Sequence, residues 1–245
     1  MSRVNKSGQP VGDDLRGWKP PPLPQWHEMG GAYVTLEPLD APHHAPALLL
    51  AYVDAPESLW TYMPWEPFAD AGELAALIDN LVADPDWQPY AVVVDSVPLG
   101  FLSYLRMDPQ AGSIEIGGIS YSPALQHTTA ATEALYLSIK NVFDLGYRRC
   151  EWKCDDLNEP SRTAALRLGF RYEGTFRKAT HYKGRNRDTA WYAITDEEWP
   201  ALDAAFSAWL SPTNFDDGHR QRRSLAEIRD ALFAGEGLPP PQPST

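Results

Sequence analysis

The sequence predicts an α/β fold in which helices flank a twisted, mostly antiparallel sheet with one parallel strand pair at its centre. Strand-like and helix-like segments alternate through the middle of the 245-residue chain. Within residues 113–154 a strand, a helix and a second strand follow one another, an order that normally joins two parallel strands by a right-handed crossover. With 43% hydrophobic residues, the chain can bury a sizeable core.

The first half of this region contains four predicted strands and two predicted helices. Residues 33–39 form the first strand, and we expect the helix after it to begin near Pro46. A helix over 69–84 carries an apolar stripe of leucines and an isoleucine. Three strands follow, at 90–94, 99–107 and 113–121, and the turn DSVP joins the first two.

The second half begins with a helix that ends at Gly146 and whose apolar face predicts burial, formed by Ala131, Leu135, Ile139 and Val142. In the next strand, at 147–154, apolar and charged residues alternate, as in a half-buried strand. The prediction is completed by a short helix over 158–168, an antiparallel strand pair at 171–178 and 187–194, and amphipathic helices at 196–210 and 219–234.

Both ends of the chain are rich in proline. Residues 1–31 have little periodicity, and we expect an extended arm there; residues 237–245 have the same character. We therefore divide the chain into this arm, one folded domain at 32–200, and a C-terminal helical appendix with a Pro-rich tail at 201–245.

Composition excludes several classes of function. The formal net charge of −12 opposes binding to nucleic acid or anionic membranes and mildly favours cationic ligands, although acidity also simply aids solubility. The two cysteines suggest neither a disulfide framework nor a zinc site. His43 and His44 lack spaced partners, so we interpret them as helix-flanking residues and expect no metal. No apolar run approaches about 18 residues and no secretory segment is present, which favours a cytoplasmic protein.

The loop SPALQHTTAATEAL leads from a strand directly into a helix. The first N–H groups of such a helix lack intrahelical partners and carry partial positive charge, which suits an anion such as a phosphate ester. Thr128 and Thr129 offer further donors, and Ala130 and Ala131 leave the approach open. The alternative is that Thr128 or Thr129 only caps the helix, with Glu133 completing the capping interaction.

A second polar pair, Asn158 and Ser161, opens the helix after the neighbouring parallel strand. Each of them could be no more than an N-cap. However, two helix N-termini at the carboxyl ends of adjacent parallel strands form a crevice in which one elongated phosphorylated ligand can lie.

These residues resemble the GCN5-related N-acetyltransferase (GNAT) superfamily, and more closely its branch of ribosomal-protein N-terminal acetyltransferase-like proteins. The superfamily loop Q/R-x-x-G-x-G/A, which binds the pyrophosphate of acetyl-coenzyme A, matches Gln126-His127-Thr128-Thr129-Ala130-Ala131, with Thr129 in place of the first glycine. Further matches are SIEIGGISYSP, Asn158-x-x-Ser161 followed by AALRLGF, and RYEGTFRKATHYKGRNRDTAWYAI. The resemblance covers about residues 32–200 and implies the GNAT fold, with the parallel pair splayed to hold coenzyme A.

The resemblance also implies roles for individual residues. Besides the loop, the coenzyme A-binding set includes Ile119, Tyr121, Asn158 along the pantetheine chain, and Ser161 as the hydrogen-bond donor to the departing thiolate. The acceptor amine is expected near Trp60, Tyr62 and Trp65, and near His181, Tyr182 and Asp188 on the loop between the last two strands. Core packing of the aromatic residues and ordinary turn chemistry are the alternatives.

Glu115 is our candidate general base, because an amine attacks a thioester only when neutral and Glu115 is the only acidic residue on the strand before the anion-binding loop. It alternates with Ile114 and Ile116, so it points away from the apolar face, and Gly117-Gly118 predicts a bulge in this strand. An exposed strand carboxylate or a structural ion-pair partner is the alternative role of Glu115.

We therefore predict an N-acyltransferase that moves acetyl from acetyl-coenzyme A to a primary amine, either a protein N-terminus or a small molecule, by direct attack in a ternary complex. Two alternatives stay open: a coenzyme A-binding regulatory or assembly module without chemistry, and the same enzyme class with another donor such as succinyl-coenzyme A. Family members are often dimers, which implies a homodimer here.

Overall fold

The computed structural model describes residues 3–218 and 220–236. Within these ranges an eight-stranded sheet has the order β3-β4-β5-β6-β7-β8-β10-β9, and β1 and β2 form a small sheet of their own. The strands are β1 (Arg3–Val4), β2 (Pro10–Val11), β3 (Met29–Gly30), β4 (Thr35–Pro38), β5 (Trp87–Val94), β6 (Val97–Asp108), β7 (Ser113–Tyr121), β8 (Arg149–Asp155), β9 (Arg171–Tyr182) and β10 (Arg185–Thr195). The helices are α1 (Ala41–Ala51), α2 (Ala71–Ala83), α3 (Thr129–Asp144), α4 (Glu159–Leu168), α5 (Trp199–Leu210) and α6 (Leu225–Glu236). The Pro-rich tail predicted for 237–245 lies outside the described residues.

The sheet is antiparallel except at its centre, where β7 and β8 run parallel and α3 connects them. Their described pairing begins at Ser113 opposite Arg149 and ends at Glu115 opposite Glu151. Both strands continue beyond this point, to Tyr121 and Asp155, so they separate along the rest of their length. The predicted mixed sheet with a splayed central pair is confirmed. We call the gap between the two strands beyond Glu115 and Glu151 the cleft.

Two apolar layers hold the sheet between the helices. The larger layer packs one face of the sheet against α3, α4, α5 and α6, and the smaller layer packs the other face against α1 and α2. The C-terminal helices contribute buried aromatic side chains to the larger layer, among them Phe206, Trp209 and Phe233. The division of the chain at residue 200 stays a prediction. Among the helices of the described residues, none combines the length and the apolar composition that a bilayer crossing requires.

A β-bulge interrupts β7 just beyond Glu115. Three steps of β7 from Gly117 to Ser120 lie opposite two steps of β6, so β7 contains one extra residue. Gly118 has a φ of +58°, and a Cβ at this position would lie 2.5 Å from the Trp87 ring. Only glycine fits both constraints. The predicted bulge is confirmed, and it bends the second half of β7.

Two helices start at other residues than the sequence predicted, because the side chains that cap their N-termini lie at other positions. The prediction that α1 begins near Pro46 is wrong: α1 begins at Ala41, where the carboxylate of Asp40 accepts the N–H of His43 at 3.0 Å. The helix predicted from residue 219 begins at Leu225. There Ser224 and Glu227 accept each other's backbone N–H groups, forming a capping box.

The last two strands are longer than predicted. They form a continuous hairpin whose two-residue turn, Lys183-Gly184, has positive φ at both positions. His181, Tyr182 and Asp188 therefore lie on the strands, and the prediction that they occupy a loop is wrong. The short turn lets the backbone ladder continue almost to the tip of the hairpin.

The junction between the arm and the domain is held by Glu133, which is buried on α3, in addition to the pairing of β3 with β4. Its carboxylate accepts the N–H of Ala32 at 2.9 Å and that of Tyr33 at 2.6 Å. A Cβ on Gly31 would lie 2.4 Å from the carboxyl carbon, so the arm approaches this closely only because residue 31 is glycine. The prediction that Glu133 completes the cap of α3 is wrong, since its carboxylate is bonded to the arm.

Replacing Glu133 is expected to loosen the junction between the arm and the domain. Glu133→Ala leaves two N–H groups without an acceptor, so the free energy of unfolding, measured by urea denaturation, should fall by about 2–4 kcal/mol. Glu73→Ala is the matched control, because exposed Glu73 accepts one N–H, that of Ala69, before α2. The control should cost about 1 kcal/mol or less. Equal losses in the two variants would contradict this role of Glu133.

Candidate functional site

The first helix N-terminus of the site is that of α3. The hydroxyl of Thr128 accepts the N–H of Ala131 at 3.1 Å and donates to the carbonyl of Leu125 at 2.7 Å. Thr128 is thus the N-cap, as one of the two alternatives predicted, and its hydroxyl is engaged within the loop. The N–H groups of Thr129 and Ala130, at the first two helical positions, have no partner within the helix. These two groups are available to an anion.

The loop before α3 is fixed to the end of β7. The side-chain amide of Gln126 donates to the carbonyl of Tyr121 at 2.8 Å, and His127 has a left-handed φ of +61° that turns the chain into the helix. Tyr121 is buried, and Ile119 packs against the larger apolar layer. The loop that resembles the pyrophosphate-binding motif is therefore held rigidly at the edge of the cleft.

The second helix N-terminus is that of α4, on the other side of the cleft. Asn158 accepts the N–H of Ser161 at 3.2 Å, so Asn158 is the N-cap. The hydroxyl of Ser161 accepts the indole N–H of Trp152 at 3.0 Å. Burial raises the pKa of Cys154 to about 11, an effect that the Ser161 hydroxyl partly offsets. Accepting from Trp152 leaves the Ser161 hydroxyl with its own proton, which it can donate to the sulfur of a ligand.

Glu115 lies at the closed end of the cleft, at the last position where β7 and β8 pair. Its side chain is only 4% exposed. Its Oε2 lies 2.6 Å from Nη1 of Arg106 and 2.9 Å from Nζ of Lys153. A Cβ on Gly117 would lie 3.1 Å from Oε1, so glycine leaves the space beside this second oxygen clear. Oε2 of Glu115 thus forms ion pairs, as the structural alternative predicted. The catalytic role of Glu115 stays a prediction.

The ion pair of Glu115 continues along β8. Nζ of Lys153 lies 2.7 Å from Oε2 of Glu151 and 3.9 Å from the centre of the Trp191 ring. Burial works to raise the pKa of Glu151, but hydrogen bonds from Arg149 and Lys153 outweigh it and hold that pKa below its usual value. Glu151 therefore stays ionised. The positive charge of Lys153 is balanced by two carboxylates, those of Glu151 and Glu115.

The aromatic segment 57–68 lies on the other face of the sheet. Trp60 is buried between the rings of Tyr52 and Phe68. Its ring therefore packs in the core, as one of the two alternatives predicted. Trp65 is half-buried, with its ring centre 5.8 Å from that of Phe101. The predicted part of Trp60, Tyr62 and Trp65 in acceptor binding stays a prediction.

The tip of the β9–β10 hairpin is bonded to this segment. Nζ of Lys183 donates to the carbonyl of Trp60 at 2.8 Å, and Arg185 donates to that of Thr61 at 2.8 Å. The hydroxyl of Tyr62 donates to the carbonyl of Leu157, just after β8, at 2.9 Å. The segment and the hairpin tip therefore form a continuous strap beside the end of β8.

Tyr182 forms a hydrogen bond to β8, whereas the hydrogen bonds of Asp188 lie within the hairpin itself. The hydroxyl of Tyr182 donates to buried Asp155, at the end of β8, at 2.8 Å, and burial together with this carboxylate raises the pKa of Tyr182 to about 12. Asp188 accepts the N–H of Lys178 and the amide of Asn186, which hold its pKa below the usual value. Tyr182 thus contacts the cleft, whereas Asp188 stabilises the hairpin; substrate binding by either stays a prediction.

Comparison with protein families identifies the chain. A family model described as an acetyltransferase (GNAT) domain matches residues 34–171, more than half of the chain. The chain belongs to the GNAT acetyltransferase family. Among curated proteins, none matches it.

Solved structures agree with this GNAT assignment. A GCN5-related N-acetyltransferase from Brucella melitensis is 44% identical with a TM-score of 0.86, covering 88% of this chain and 100% of its own. A probable GNAT-family acetyltransferase from Chromobacterium violaceum is 41% identical with a TM-score of 0.74, covering 78% and 98%. The microcin C7 self-immunity acetyltransferase MccE, solved with acetyl-CoA and AMP, is 22% identical with a TM-score of 0.61, covers 67% and 93%, and shares the fold.

The sequence did not reveal every residue of this GNAT site. Arg106 and Lys153 contact Glu115, and Trp191 contacts Lys153, but the sequence made none of them a candidate. The alternation of β8 did place Lys153 on the same side as Glu151. What the sequence could not supply was the register of β7 against β8, which brings both residues to Glu115.

Replacing Ser161 tests its two hydrogen-bonding roles separately. Ser161→Ala leaves the buried indole N–H of Trp152 without its acceptor, so the free energy of unfolding should fall by about 1–3 kcal/mol. In this GNAT acetyltransferase kcat should also fall roughly tenfold, because the departing thiolate loses a donor.

A double-mutant cycle with Trp152→Phe separates the two effects. The stability losses should couple, because the orphaned donor is absent from the double variant, whereas the loss in kcat on Ser161→Ala should persist in the Trp152→Phe background. A kcat that Ser161→Ala leaves unchanged in both backgrounds would remove Ser161 from the reaction.

Proposed function

We propose that the protein transfers acetyl from acetyl-coenzyme A to a primary amine by direct attack in a ternary complex, with Glu115 as the general base. The observation that carries this proposal is the position of Glu115: a buried carboxylate at the point where β7 and β8 part, two strands that each lead on to a capped helix N-terminus. The pyrophosphate would lie on the N–H groups of Thr129 and Ala130, and the pantetheine chain would run past Asn158.

The reaction requires a neutral amine. Its nitrogen attacks the thioester carbonyl carbon, the C–S bond breaks as the C–N bond forms, and coenzyme A leaves as the thiolate or thiol. Glu115 takes the proton that the amine loses, directly or through water, and the hydroxyl of Ser161 donates to the sulfur. Holding amine and thioester together supplies much of the acceleration.

The class of acceptor amine follows from how much of each amine is already neutral at pH 7. At pH 7 roughly 10–20% of an α-amino group is neutral but under about 0.1% of a lysine side chain, so an α-amino group needs less assistance. We propose a protein N-terminus or a small-molecule amine as the acceptor. The strap beside the cleft supports either one, because it bounds the approach to the thioester. Membership of the ribosomal-protein N-terminal acetyltransferase-like branch belongs to the same proposal.

A thiol-release assay tests this function. Acetyl-coenzyme A is offered with a panel of short peptides with free N-termini, the same peptides blocked at the N-terminus but carrying lysine, and small primary amines. We expect turnover with at least one free α-amino or small-molecule amine and far slower release with the blocked peptides. Tight binding of acetyl-coenzyme A without release on any acceptor would contradict the proposal.

Two companion measurements address the donor and the assembly. In donor competition, succinyl-coenzyme A should inhibit acetyl transfer without replacing acetyl-coenzyme A as the better substrate; faster succinyl transfer would reassign the donor. Light scattering should give the mass of a homodimer, twice the 27.3 kDa of the chain. A monomer at all concentrations would contradict this assembly.

A further inference from the structure

A cavity of about 800 Å³ lies next to the first turn of α3, on the side of β4 and β5. Its described lining comes from the end of the arm, β4, the first turn of α1, the β5–β6 turn and residues 128–130, and includes nothing from β8 or α4. It therefore lies on the β4 side of the α3 N-terminus, which it shares with the proposed pyrophosphate site at Thr129 and Ala130. Three of its lining residues, Glu37, His43 and His44, can each direct one ligand atom to a common point, since these atoms lie within 4.8 Å of one another.

The geometry of this cluster fits a metal ion. Nε2 of His44 lies 3.3 Å from Oε2 of Glu37, and Nε2 of His43 lies 3.9 Å from the same oxygen. Ligand atoms about 2 Å from one tetrahedral ion are separated by such distances. The side chain of His44 is 3% exposed, that of Glu37 30% and that of His43 73%, so the cluster runs from the protein interior to the cavity.

The backbone presets the orientation of His44. Its Nδ1 lies 3.0 Å from both the N and the O of Asp40, the residue that caps α1. In one tautomer Nδ1 accepts the Asp40 N–H and Nε2–H donates to Glu37; in the other Nδ1–H donates to the Asp40 carbonyl and Nε2 carries a lone pair directed at the cluster. A bound metal ion selects the second tautomer. A histidine that bonds a carbonyl through one nitrogen and a metal through the other is the common arrangement of metal sites. The sequence alone did not indicate this site, because Glu37 lies on β4 and comes close to His43 and His44 only in the folded chain.

We propose that Glu37, His43 and His44 bind one Zn²⁺ ion, with the remaining coordination position open to the cavity. Two imidazoles and one carboxylate form a donor set that Zn²⁺ accepts readily, and three protein ligands leave a fourth position for water or a ligand in the cavity. The ion would fasten the start of α1 to β4. The Zn²⁺ proposal does not require acetyl transfer, although the cavity is also lined by Thr129 and Ala130, where the pyrophosphate is proposed to bind.

Zn²⁺ binding to the tag-free full chain, after treatment with a chelator, tests this proposal by calorimetry and thermal unfolding. We expect one Zn²⁺ per chain and a rise in melting temperature, because a ligand that binds the folded state stabilises it. Glu37→Gln and His43→Ala should each weaken Zn²⁺ binding at least about tenfold, since even outer-shell partners are worth roughly that much.

His27→Ala is the matched control, because His27 is an exposed histidine outside the cluster that bonds the carbonyl of Gln25. It should bind Zn²⁺ as the unchanged protein does. Circular dichroism of all three variants verifies that they are folded. Either no Zn²⁺ uptake by the unchanged protein, or uptake that Glu37→Gln and His43→Ala leave intact, would overturn the proposal.

Discussion

Glu115→Gln is expected to lower kcat by roughly 10²–10⁴-fold while leaving the Kd for acetyl-coenzyme A within about threefold. Glutamine preserves the size of the side chain but cannot take a proton from the amine. The helix N-termini proposed to bind the phosphates are unchanged, so cofactor affinity should persist. Steady-state kinetics with the best amine acceptor and calorimetry with acetyl-coenzyme A measure the two quantities.

Glu151→Gln is the matched control for the ion-pair role. Lys153 contacts both carboxylates, at 2.9 Å from Glu115 and 2.7 Å from Glu151, so either substitution removes one of its charged partners. Both variants should lose stability to a similar extent, because each leaves Lys153 less well paired. Only Glu115→Gln should lose the rate. Similar kcat values for the two variants would mean that Glu115 is an ion-pair partner and not the base.

Thr129→Asp is expected to weaken acetyl-coenzyme A binding at least tenfold without destabilising the fold. Thr129 is the first residue of α3, where a carboxylate is favourable for the helix by about 0.3–1 kcal/mol. The same carboxylate repels a pyrophosphate bound at this helix N-terminus. A like-charge interaction at about 4 Å is worth up to about 4 kcal/mol near a protein surface, so a tenfold loss is a modest expectation.

This prediction is specific because Thr129→Asp should weaken acetyl-coenzyme A binding while leaving the free energy of unfolding unchanged or slightly higher. Calorimetry gives the Kd and urea denaturation gives the free energy of unfolding. Thr129→Ser, which keeps the hydroxyl and the backbone N–H, should bind acetyl-coenzyme A as the unchanged protein does. Unaltered affinity in Thr129→Asp would place the phosphates elsewhere.

Local sequence patterns predicted most of the fold because the signals were themselves local. The alternation of residues 147–154, the stop at Gly146 and the double glycine of β7 each describe short-range geometry, and the structure has all three. The predicted start of α1 is too late because it rests on Pro46, a residue type that is common in the first turn of a helix. The cap at Asp40 decides the start, and proline is tolerated further along.

Contacts between distant segments could not be read from the sequence. Glu133 bonds the arm about 100 residues away, and Lys153 reaches Glu115 only through the parallel register. Glu37 meets His43 and His44 because a strand turns into a helix. The sequence could predict which residues offer chemistry at each helix N-terminus. It could not predict which of their hydroxyls and carboxylates are already engaged, as those of Thr128 and Glu115 are.

Calorimetric titration of the unchanged protein with acetyl-coenzyme A, compared with S-acetylpantetheine, is the most direct test of the nucleotide thioester site between the two helix N-termini. We expect one acetyl-coenzyme A per chain, and affinity at least tenfold weaker for S-acetylpantetheine, which lacks the pyrophosphate and the adenosine 3′-phosphate. Thr129→Asp should weaken binding of acetyl-coenzyme A but not of S-acetylpantetheine, which assigns part of the difference to the pyrophosphate at the N–H groups of Thr129 and Ala130. Absence of acetyl-coenzyme A uptake, or equal affinity for the two compounds, would contradict the site.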